Sequence, residues 1–220
     1  MKKKNSITNG LFITFEGIEG CGKSTQAKLL AKNLTKAGYE ILLTREPGGP
    51  QISEKIRDIL LDNQNEEMYK LTEIFLYMAS RSQHTFQWIK PALEEGKIII
   101  CDRYYDSTFA YQGAARNIPA DIVKSINKIA ILGTNPDTTF LVDVPVNVGL
   151  ARINKLTENG GNIDRLESES VEFHQRVRDS YLKLSEEYSE RIAVLNGLEK
   201  VDSLQSKIQK MLKNKYKIKF

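Results

Sequence analysis

The chain is poor in cysteine, with Cys21 and Cys101 as its two thiols in 220 residues. We therefore expect no disulfide framework and a reducing compartment, most simply the cytoplasm. No apolar stretch approaches the ~20 residues that cross a membrane, so we expect no membrane partner. The basic residues at the start have no apolar run behind them, so no secretory signal is expected. A composition of 40% hydrophobic and 27% charged residues suits a soluble globular protein.

Acidic residues are absent after Asp202, where six lysines follow, and three more lysines occupy positions 2–4. These two ends carry nine positive charges, while the formal net charge is +4, so the rest of the chain carries a net −5. Basic tails such as 1–9 and 203–220 are more often solvated than functional. We therefore predict that the chain binds no nucleic acid.

No internal repeat, linker or change in composition divides the chain, and its length suits one domain, 1–220. Apolar runs alternate with helical patterns, of which the longest cover 66–90, with a possible interruption near Pro91, and 166–189. The predicted strands are Leu11–Glu16, Glu40–Thr44, Lys97–Cys101, Thr139–Val144 and Ile192–Leu195. This alternation predicts an α/β fold, a parallel five-stranded sheet with helices on both faces.

The strongest motif lies at 17–24, where Gly-Ile-Glu-Gly-Cys-Gly-Lys-Ser matches G-x-x-x-x-G-K-[ST] in full. It follows a predicted strand and precedes a helical pattern, the setting in which backbone N–H groups surround phosphate oxygens. Lys23 can reach the β- and γ-phosphates, and the Ser24 hydroxyl can ligate Mg²⁺. The predicted triphosphate site comprises Gly17, Ile18, Glu19, Gly20, Cys21, Gly22, Lys23, Ser24 and Thr25.

Two further strands end in residues that suit a phosphate site. Asp102 closes an apolar strand, as in a Walker B motif that holds Mg²⁺, but Asp143 closes another, and spacing alone does not decide between them. Arg103 follows Asp102 and could face a phosphate. Arg45 follows the second strand, where a guanidinium either binds phosphate in a bidentate manner or is a surface residue.

A set of six elements occurs in order along residues 11–195. They are Glu16 to Ser24, Thr44-Arg45-Glu46-Pro47-Gly48-Gly49, Ala79-Ser80-Arg81, Asp102-Arg103-Tyr104, Ala110-Tyr111-Gln112-Gly113 and Asp164-Arg165-Leu166-Glu167. In this order the chain resembles the thymidylate kinases (dTMP kinases) of the bacterial type with a lid arginine. The resemblance implies a P-loop fold like that of nucleoside monophosphate kinases, and ATP-dependent phosphorylation of dTMP to dTDP with Mg²⁺, usually by a homodimer.

The resemblance also implies roles for individual residues around the acceptor. Glu19 would accept from the 3′-hydroxyl, Arg45 and Arg103 would bind the dTMP phosphate, Tyr77 would stack on thymine, Arg81 would contact O4, Thr108 and Gln112 would lie near the base edge, and Tyr111 would crowd the 2′ position. Tyr77 and Arg81 are four residues apart in a helical pattern and so share a face. The candidate Mg²⁺ ligands are Ser24, Asp102 and Glu167.

Catalysis by this arrangement requires alignment and charge screening, which we assign to Lys23, Asp102, Arg103 and a lid arginine. One branch of the family has arginine at the position of Gly20, whereas in the other branch the lid supplies it. Gly20 thus directs attention to the lid, about 151–165, where Arg152 is our choice. Arg165 is the next candidate, unless it is structural and pairs with Asp164 or Glu167.

Two alternative functions remain at the level of sequence. The first is another nucleotide or nucleoside kinase, acting on dUMP, dCMP or a deoxynucleoside. The second is a regulatory P-loop NTPase. The guanine-reading motif of GTPases, Asn-Lys-x-Asp, is missing, because Asn127-Lys128-Ile129-Ala130 lacks the closing acid.

Overall fold

The computed structural model describes residues 9–158 and 163–220, without the side chains of 156 and 157. Five strands form one parallel sheet in the order β2-β3-β1-β4-β5. They are β1 Leu11–Glu16, β2 Ile41–Arg45, β3 Ile98–Asp102, β4 Thr138–Asp143 and β5 Ile192–Asn196. The predicted α/β fold with a parallel five-stranded sheet is confirmed, and every predicted strand end lies within one residue of the observed one.

Side chains of the central strands alternate between two apolar clusters, one on each face of the sheet. Ile13 and Ile100 belong to a large cluster that includes Leu30 of the first helix. Phe12 and Ile99 point the other way, into a second cluster with Ile89. Since all four strand residues are fully buried, helices cover both faces, as the continuous apolar runs predict.

The helices connect the strands in the alternating pattern of an α/β fold. They are α1 Lys23–Lys36, α2 Gln51–Leu61, α3 Lys70–His84, α4 Lys90–Glu94, α5 Tyr105–Thr108, α6 Ala120–Ile131, α7 Val146–Glu158, α8 Val171–Glu187 and α9 Val201–Tyr216. Short 3₁₀ and π-helical segments lie between some of them. None of the helices among the described residues is long and apolar enough to cross a membrane.

Two helical predictions need adjustment at their ends. The pattern at 66–90 is α3, a π-helical segment Thr85–Ile89 and α4. The π-helical segment ends just before Pro91, which has no backbone N–H to donate to a helical hydrogen bond. The pattern at 166–189 begins later, at Val171, because the Ser170 side chain caps α8 by accepting from the Phe173 N–H at 3.2 Å.

The predicted C-terminal tail, 203–220, differs most from its expectation. Most of it belongs to α9, which buries Leu204, Ile208 and Leu212 beneath its lysines, so it is a packed helix and not a solvated end. Residues 1–8 of the N-terminal tail lie outside the described residues, as do 159–162 of the predicted lid. Of the predicted lid, about 151–165, the structure describes residues 151–158, which belong to α7, and residues 163–165.

Candidate active site

A cavity of about 660 Å³ opens where the carboxyl ends of β1, β2 and β3 meet. Nearly all of the predicted site residues line it. They are Glu19, Gly20, Cys21, Gly22, Lys23, Ser24, Thr25, Arg45, Tyr77, Arg81, Asp102, Arg103, Thr108, Tyr111, Gln112, Arg152 and Glu167. Gly17 and Ile18, at the start of the loop, do not line the cavity, and a Cβ at Gly17 would come within 2.4 Å of the Val142 carbonyl oxygen.

The loop between β1 and α1 is shaped by close backbone contacts. Gly20 has φ +67°, and a Cβ there would lie 2.2 Å from the carbonyl oxygen of Gly149 in α7. Lys23 folds back over the loop, with its Nζ donating to the Ile18 carbonyl at 3.2 Å. Because α1 begins at Lys23, its N-terminal N–H groups and its positive dipole end face the cavity. This combination forms an anion-binding site.

The fit of Mg²⁺ to the site rests on Ser24 and Asp102. The Ser24 hydroxyl donates to Asp102 Oδ2, while Asp102 Oδ1 is buried and has no hydrogen-bond partner among the described residues. A hydroxyl and a carboxylate are oxygen donors of the kind that Mg²⁺ prefers. Glu167 lines the same cavity but accepts from the Asp164 N–H at 3.1 Å. Within the described residues no three His, Cys, Asp or Glu side chains form a metal-binding group.

The alternative Walker B residue, Asp143, is occupied elsewhere. Its two carboxylate oxygens accept from Arg178 at 2.7 and 2.9 Å, so the pair forms a bidentate salt bridge between β4 and α8. Asp143 does not line the cavity, whereas Asp102 does. The geometry therefore favours Asp102, which the sequence alone could not separate from Asp143.

Glu19 lies at the centre of a buried charged group on the acceptor side of the loop. Its Oε1 accepts from Arg103 at 2.9 Å and from the Tyr111 hydroxyl at 2.5 Å. Burial alone would raise the pKa of Glu19, but Arg103, His174, Lys23 and Tyr111 together hold it well below its usual range. Its Oε2 lies 3.3 Å from His174 Nδ1 and has no hydrogen bond from the described residues. Glu19 is therefore an ionised acceptor.

Arg103 is held across the cavity by backbone and side-chain constraints. Its φ of +73° lies in the left-handed region, where a non-glycine residue is strained and often functional. Its guanidinium also donates to the hydroxyls of Tyr181, at 3.0 Å, and Ser107, at 3.4 Å. Both hydroxyls donate to the buried Glu16, at 2.8 and 2.6 Å.

Glu16 is an ionisable group behind Arg103 that the sequence did not single out. Burial raises its pKa to about 7, and the Asp106 carboxylate adds to the rise, against the hydrogen bond from Ser107 and the charge of Arg103. It therefore titrates near neutrality while it holds two of the groups that contact Arg103.

Arg81 is rigidly fixed beside Tyr77. Its guanidinium is 2% exposed and donates to Glu46 at 2.7 Å, to Thr108 at 2.6 Å, to Asn127 at 2.7 Å and to the Tyr104 carbonyl at 3.0 Å. These contacts use four of its five N–H groups. Thr108, predicted near the base edge, thus serves Arg81 as an acceptor, while Arg81 keeps one N–H for the cavity that it lines.

Two arginines stand at the mouth of the cavity after β2. Arg45 is half exposed and pairs with Glu54 at 2.7 Å. Arg57, on α2, donates to the Pro47 carbonyl at 2.8 Å and lines the cavity beside Arg45. Burial and the charge of Arg45 lower the pKa of Arg57. No sequence motif includes Arg57, although its position two turns into the helix that follows the Arg45 loop would indicate a second arginine close to Arg45.

The two lid candidates have different surroundings. Arg152 lines the cavity and donates to the loop carbonyls of Gly20 at 3.1 Å and Cys21 at 3.5 Å, and to Gly197 at 3.1 Å. Arg165 is buried and donates to the Leu60 carbonyl at 3.0 Å and to Glu73 at 2.7 Å. These contacts of Arg165 are structural, and its carboxylate partner is Glu73, not Asp164 or Glu167.

Comparisons with known proteins agree with this geometry. The family model described as "Thymidylate kinase" matches residues 15–208. The thymidylate kinase of Geotalea uraniireducens is 46% identical over 203 residues, covering 90% of this chain and 94% of the relative. That of Geotalea daltonii is 49% identical over 197 residues, covering 88% and 92%. A crystal structure of thymidylate kinase from Ehrlichia chaffeensis has a TM-score of 0.75 at 32% identity, covering 93% of this chain and 99% of that chain. The chain belongs to the thymidylate kinase family.

Proposed function

We propose that the chain transfers the γ-phosphoryl group of ATP to dTMP, producing dTDP. The observation that carries this proposal is a single cavity lined at one end by a phosphate loop and at the other by arginines around a buried aromatic ring. A kinase that transfers a phosphoryl group between two nucleotides needs a donor site and an acceptor site, whereas a nucleotide-dependent switch needs only the site for its nucleotide. The two halves also correspond to the family to which the chain belongs.

The donor half is built from the loop and the start of α1. Lys23 and the N–H groups of α1 bind the β- and γ-phosphates. Ser24 and Asp102 would hold Mg²⁺, which when bound screens the charge between these phosphates. Arg152 is the residue that contacts the transferring group in this proposal, and its hydrogen bonds to the Gly20 and Cys21 carbonyls of the loop support that role.

The acceptor half recognises the phosphate and the sugar of dTMP. Arg45, Arg57 and Arg103 supply donors for the phosphate, and guanidinium forks suit its oxygens. Glu19 Oε2, which receives no hydrogen bond from the described residues, accepts from the 3′-hydroxyl. The Tyr111 ring, fixed by its hydroxyl bond to Glu19, crowds the 2′ position and disfavours ribonucleotides.

The base lies against Tyr77, with Arg81 and Gln112 at its edge. Tyr77 is buried and one helical turn from Arg81, so a flat ring and a donor face the same space. The remaining N–H of Arg81 donates to O4 of the pyrimidine. Thymine then fills the pocket through stacking and edge contacts, not through any charged group of its own.

The chemistry requires two anions to approach in line. No general base is needed, because the second pKa of a phosphate monoester is about 6 and dTMP is largely a dianion at neutral pH. Lys23, Arg103 and Arg152 neutralise the repulsion and align the attacking oxygen with the γ-phosphorus.

A steady-state assay with ATP and a panel of dTMP, dUMP, dCMP and AMP tests the proposal. We expect the highest kcat/KM for dTMP, and dUMP weaker by roughly 10- to 200-fold, the value of one methyl group in a pocket. In Lys23→Ala, turnover should be lost while calorimetry still detects dTMP binding. A preference for dCMP or AMP contradicts the assignment of the substrate.

The same proposal includes a homodimer formed through α2, α3 and α6. These adjacent helices expose apolar side chains that a monomer would leave in water, including Phe75 at 59% and Ile129 at 70% exposure. The others are Ile52 and Ile59 on α2, Leu71 on α3 and Ile122 on α6. Several exposed apolar side chains on adjacent helices are typical of a protein–protein interface, and two-fold dimers are the commonest assembly.

The compartment of this activity is the cytoplasm. Both thiols, Cys21 and Cys101, are free and buried, which suits a reducing environment. Cys21 lies within the phosphate loop itself, so a protein that depends on this loop benefits from conditions that keep the thiol reduced.

A further inference from the structure

Glu73 is a buried carboxylate that the proposed function leaves without a role. It lies on α3, one helical turn before Tyr77, and is 1% exposed. It accepts from Arg165 Nη2 at 2.7 Å, from Arg116 at 3.2 and 3.3 Å and from Gln112 Nε2 at 2.9 Å. Burial alone would raise its pKa, but Arg116, Gln112 and Arg165 outweigh burial and lower it. Glu73 is therefore ionised and can only accept.

The contact with Glu73 fixes the orientation of the Gln112 amide. An amide has a donating NH₂ and an accepting oxygen, and its orientation follows from the hydrogen bonds around it. The NH₂ of Gln112 faces Glu73, so its Oε1 is the free end of a side chain that lines the cavity. No described residue donates to this oxygen. Turning the amide over would bring two oxygens together, which the ionised carboxylate forbids.

We propose that Glu73 is a positioning residue for base specificity, which fixes the Gln112 amide so that its oxygen faces N3 of the bound pyrimidine. Thymine and uracil carry a hydrogen on N3 and an acceptor at O4, whereas cytosine has a lone pair on N3 and an amino group on C4. An acceptor from Gln112 beside a donor from Arg81 matches the first pattern and opposes the second at both atoms. This inference rests on the proposed function, since it concerns how that site rejects dCMP.

The change Glu73→Gln reverses which side chain donates and which accepts in the contact with Gln112. The new amide keeps its oxygen where Arg165 and Arg116 donate most closely, and so it places its NH₂ toward Gln112. Gln112 must then accept, and its own NH₂ turns to the cavity, where it matches N3 of cytosine. Arg81 still opposes the amino group of cytosine, so the discrimination is reduced without being reversed.

The experiment measures kcat/KM for dTMP and dCMP, with dissociation constants of both by calorimetry. In Glu73→Gln the ratio of dTMP to dCMP should fall by about tenfold or more, the effect of one mismatched polar contact. Arg116→Lys is the matched control, because it weakens the same ion cluster but leaves the carboxylate facing Gln112. Its ratio should stay within twofold of wild type even if its thermal stability falls.

A double-mutant cycle isolates the contact between the two side chains. In the Gln112→Met background, which has no amide to orient, Glu73→Gln should not change the ratio further. If Glu73→Gln does not fold, Glu73→Asp retains the charge for the arginines but is too short to reach Gln112, and the same fall is expected.

Three results would contradict the inference or its basis. A folded Glu73→Gln protein with an unchanged ratio overturns the inference and leaves the proposed function standing. A fall in Arg116→Lys as large as that in Glu73→Gln overturns it too, because the effect is then general damage. A wild-type protein without dTMP turnover overturns the proposed function, and the inference with it.

Discussion

Arg152 donates a hydrogen bond from Nη1 to the carbonyl oxygen of Gly20 at 3.1 Å, across 132 positions of the chain. Position 20 itself has no room for an arginine. A Cβ at Gly20 would lie 2.2 Å from the carbonyl oxygen of Gly149 in α7. Arg152, three residues after Gly149 on the same helix, instead brings its guanidinium to the loop carbonyl of Gly20.

Replacing Arg152 with alanine should therefore lower kcat by roughly 10³-fold, the lower end for an arginine that contacts a transferring phosphoryl group. KM for dTMP should change much less, because the acceptor contacts lie elsewhere. Steady-state kinetics of both substrates make the measurement. Arg178→Ala is the control, since it removes a guanidinium bound to Asp143 outside the cavity. A kcat within threefold of wild type in Arg152→Ala would reject Arg152 as the catalytic arginine.

Arg57→Ala and Arg45→Ala should each weaken dTMP binding by roughly 10- to 100-fold, the value of a lost charged hydrogen bond. Both side chains line the cavity, and the charge of Arg45 lowers the pKa of Arg57, so a bound dianion relieves repulsion between them. Calorimetry with dTMP and with thymidine separates phosphate from nucleoside contacts. Thymidine binding should not change, and Lys210→Ala, at an exposed position on α9, should affect neither ligand. Equal losses for thymidine would show that these arginines do not read the phosphate.

Glu16 should make stability depend on pH between about 4.5 and about 7. In this window the unfolded chain has lost the Glu16 proton while the folded protein, whose pKa is raised to about 7, still holds it. The free energy of unfolding therefore falls as pH rises through the window, by about 3 kcal/mol for this group, and levels off above it. The difference between wild type and Glu16→Gln in urea unfolding isolates the effect, with Glu94→Gln as an exposed control. A difference that does not vary with pH would contradict the raised pKa.

Phe75→Glu should convert the proposed dimer into a monomer, because it places a charge at the centre of the apolar surface on α2, α3 and α6. Sedimentation velocity across a range of concentrations makes the measurement. Met211→Glu, an exposed apolar position on α9, is the matched control and should remain dimeric. A wild-type protein that sediments as a monomer at all concentrations would refute the proposed interface.

The sequence predicts the sheet well because each strand is a short apolar run followed by loop-forming residues. It also predicts the phosphate loop, since all of its determinants are contiguous between Gly17 and Ser24. The family resemblance then places most of the acceptor residues on the cavity that the structure shows.

What the sequence cannot supply are the contacts between distant residues. Asp102 and Asp143 both end apolar strands, and their roles are separated by distant contacts: Arg178, 35 residues after Asp143, binds Asp143, while Ser24 binds Asp102 at the cavity. The sequence offers Arg165 as a second lid arginine or as a partner of Asp164 or Glu167, yet it binds Glu73 on another helix. Arg57 and His174 belong to no contiguous motif, so their places near the cavity become visible only once the helices are packed.

The strand order has a consequence for synthesis on the ribosome. β2 is an edge strand paired with β3, which begins more than fifty residues after β2 ends. The segment that carries Arg45 is thus synthesised long before β3, the strand with which it pairs. Tyr181, which contacts Arg103 across 78 positions, emerges later still. The donor loop follows directly from the first strand, so its residues are synthesised early, whereas Arg103 gains its Tyr181 contact only late in translation.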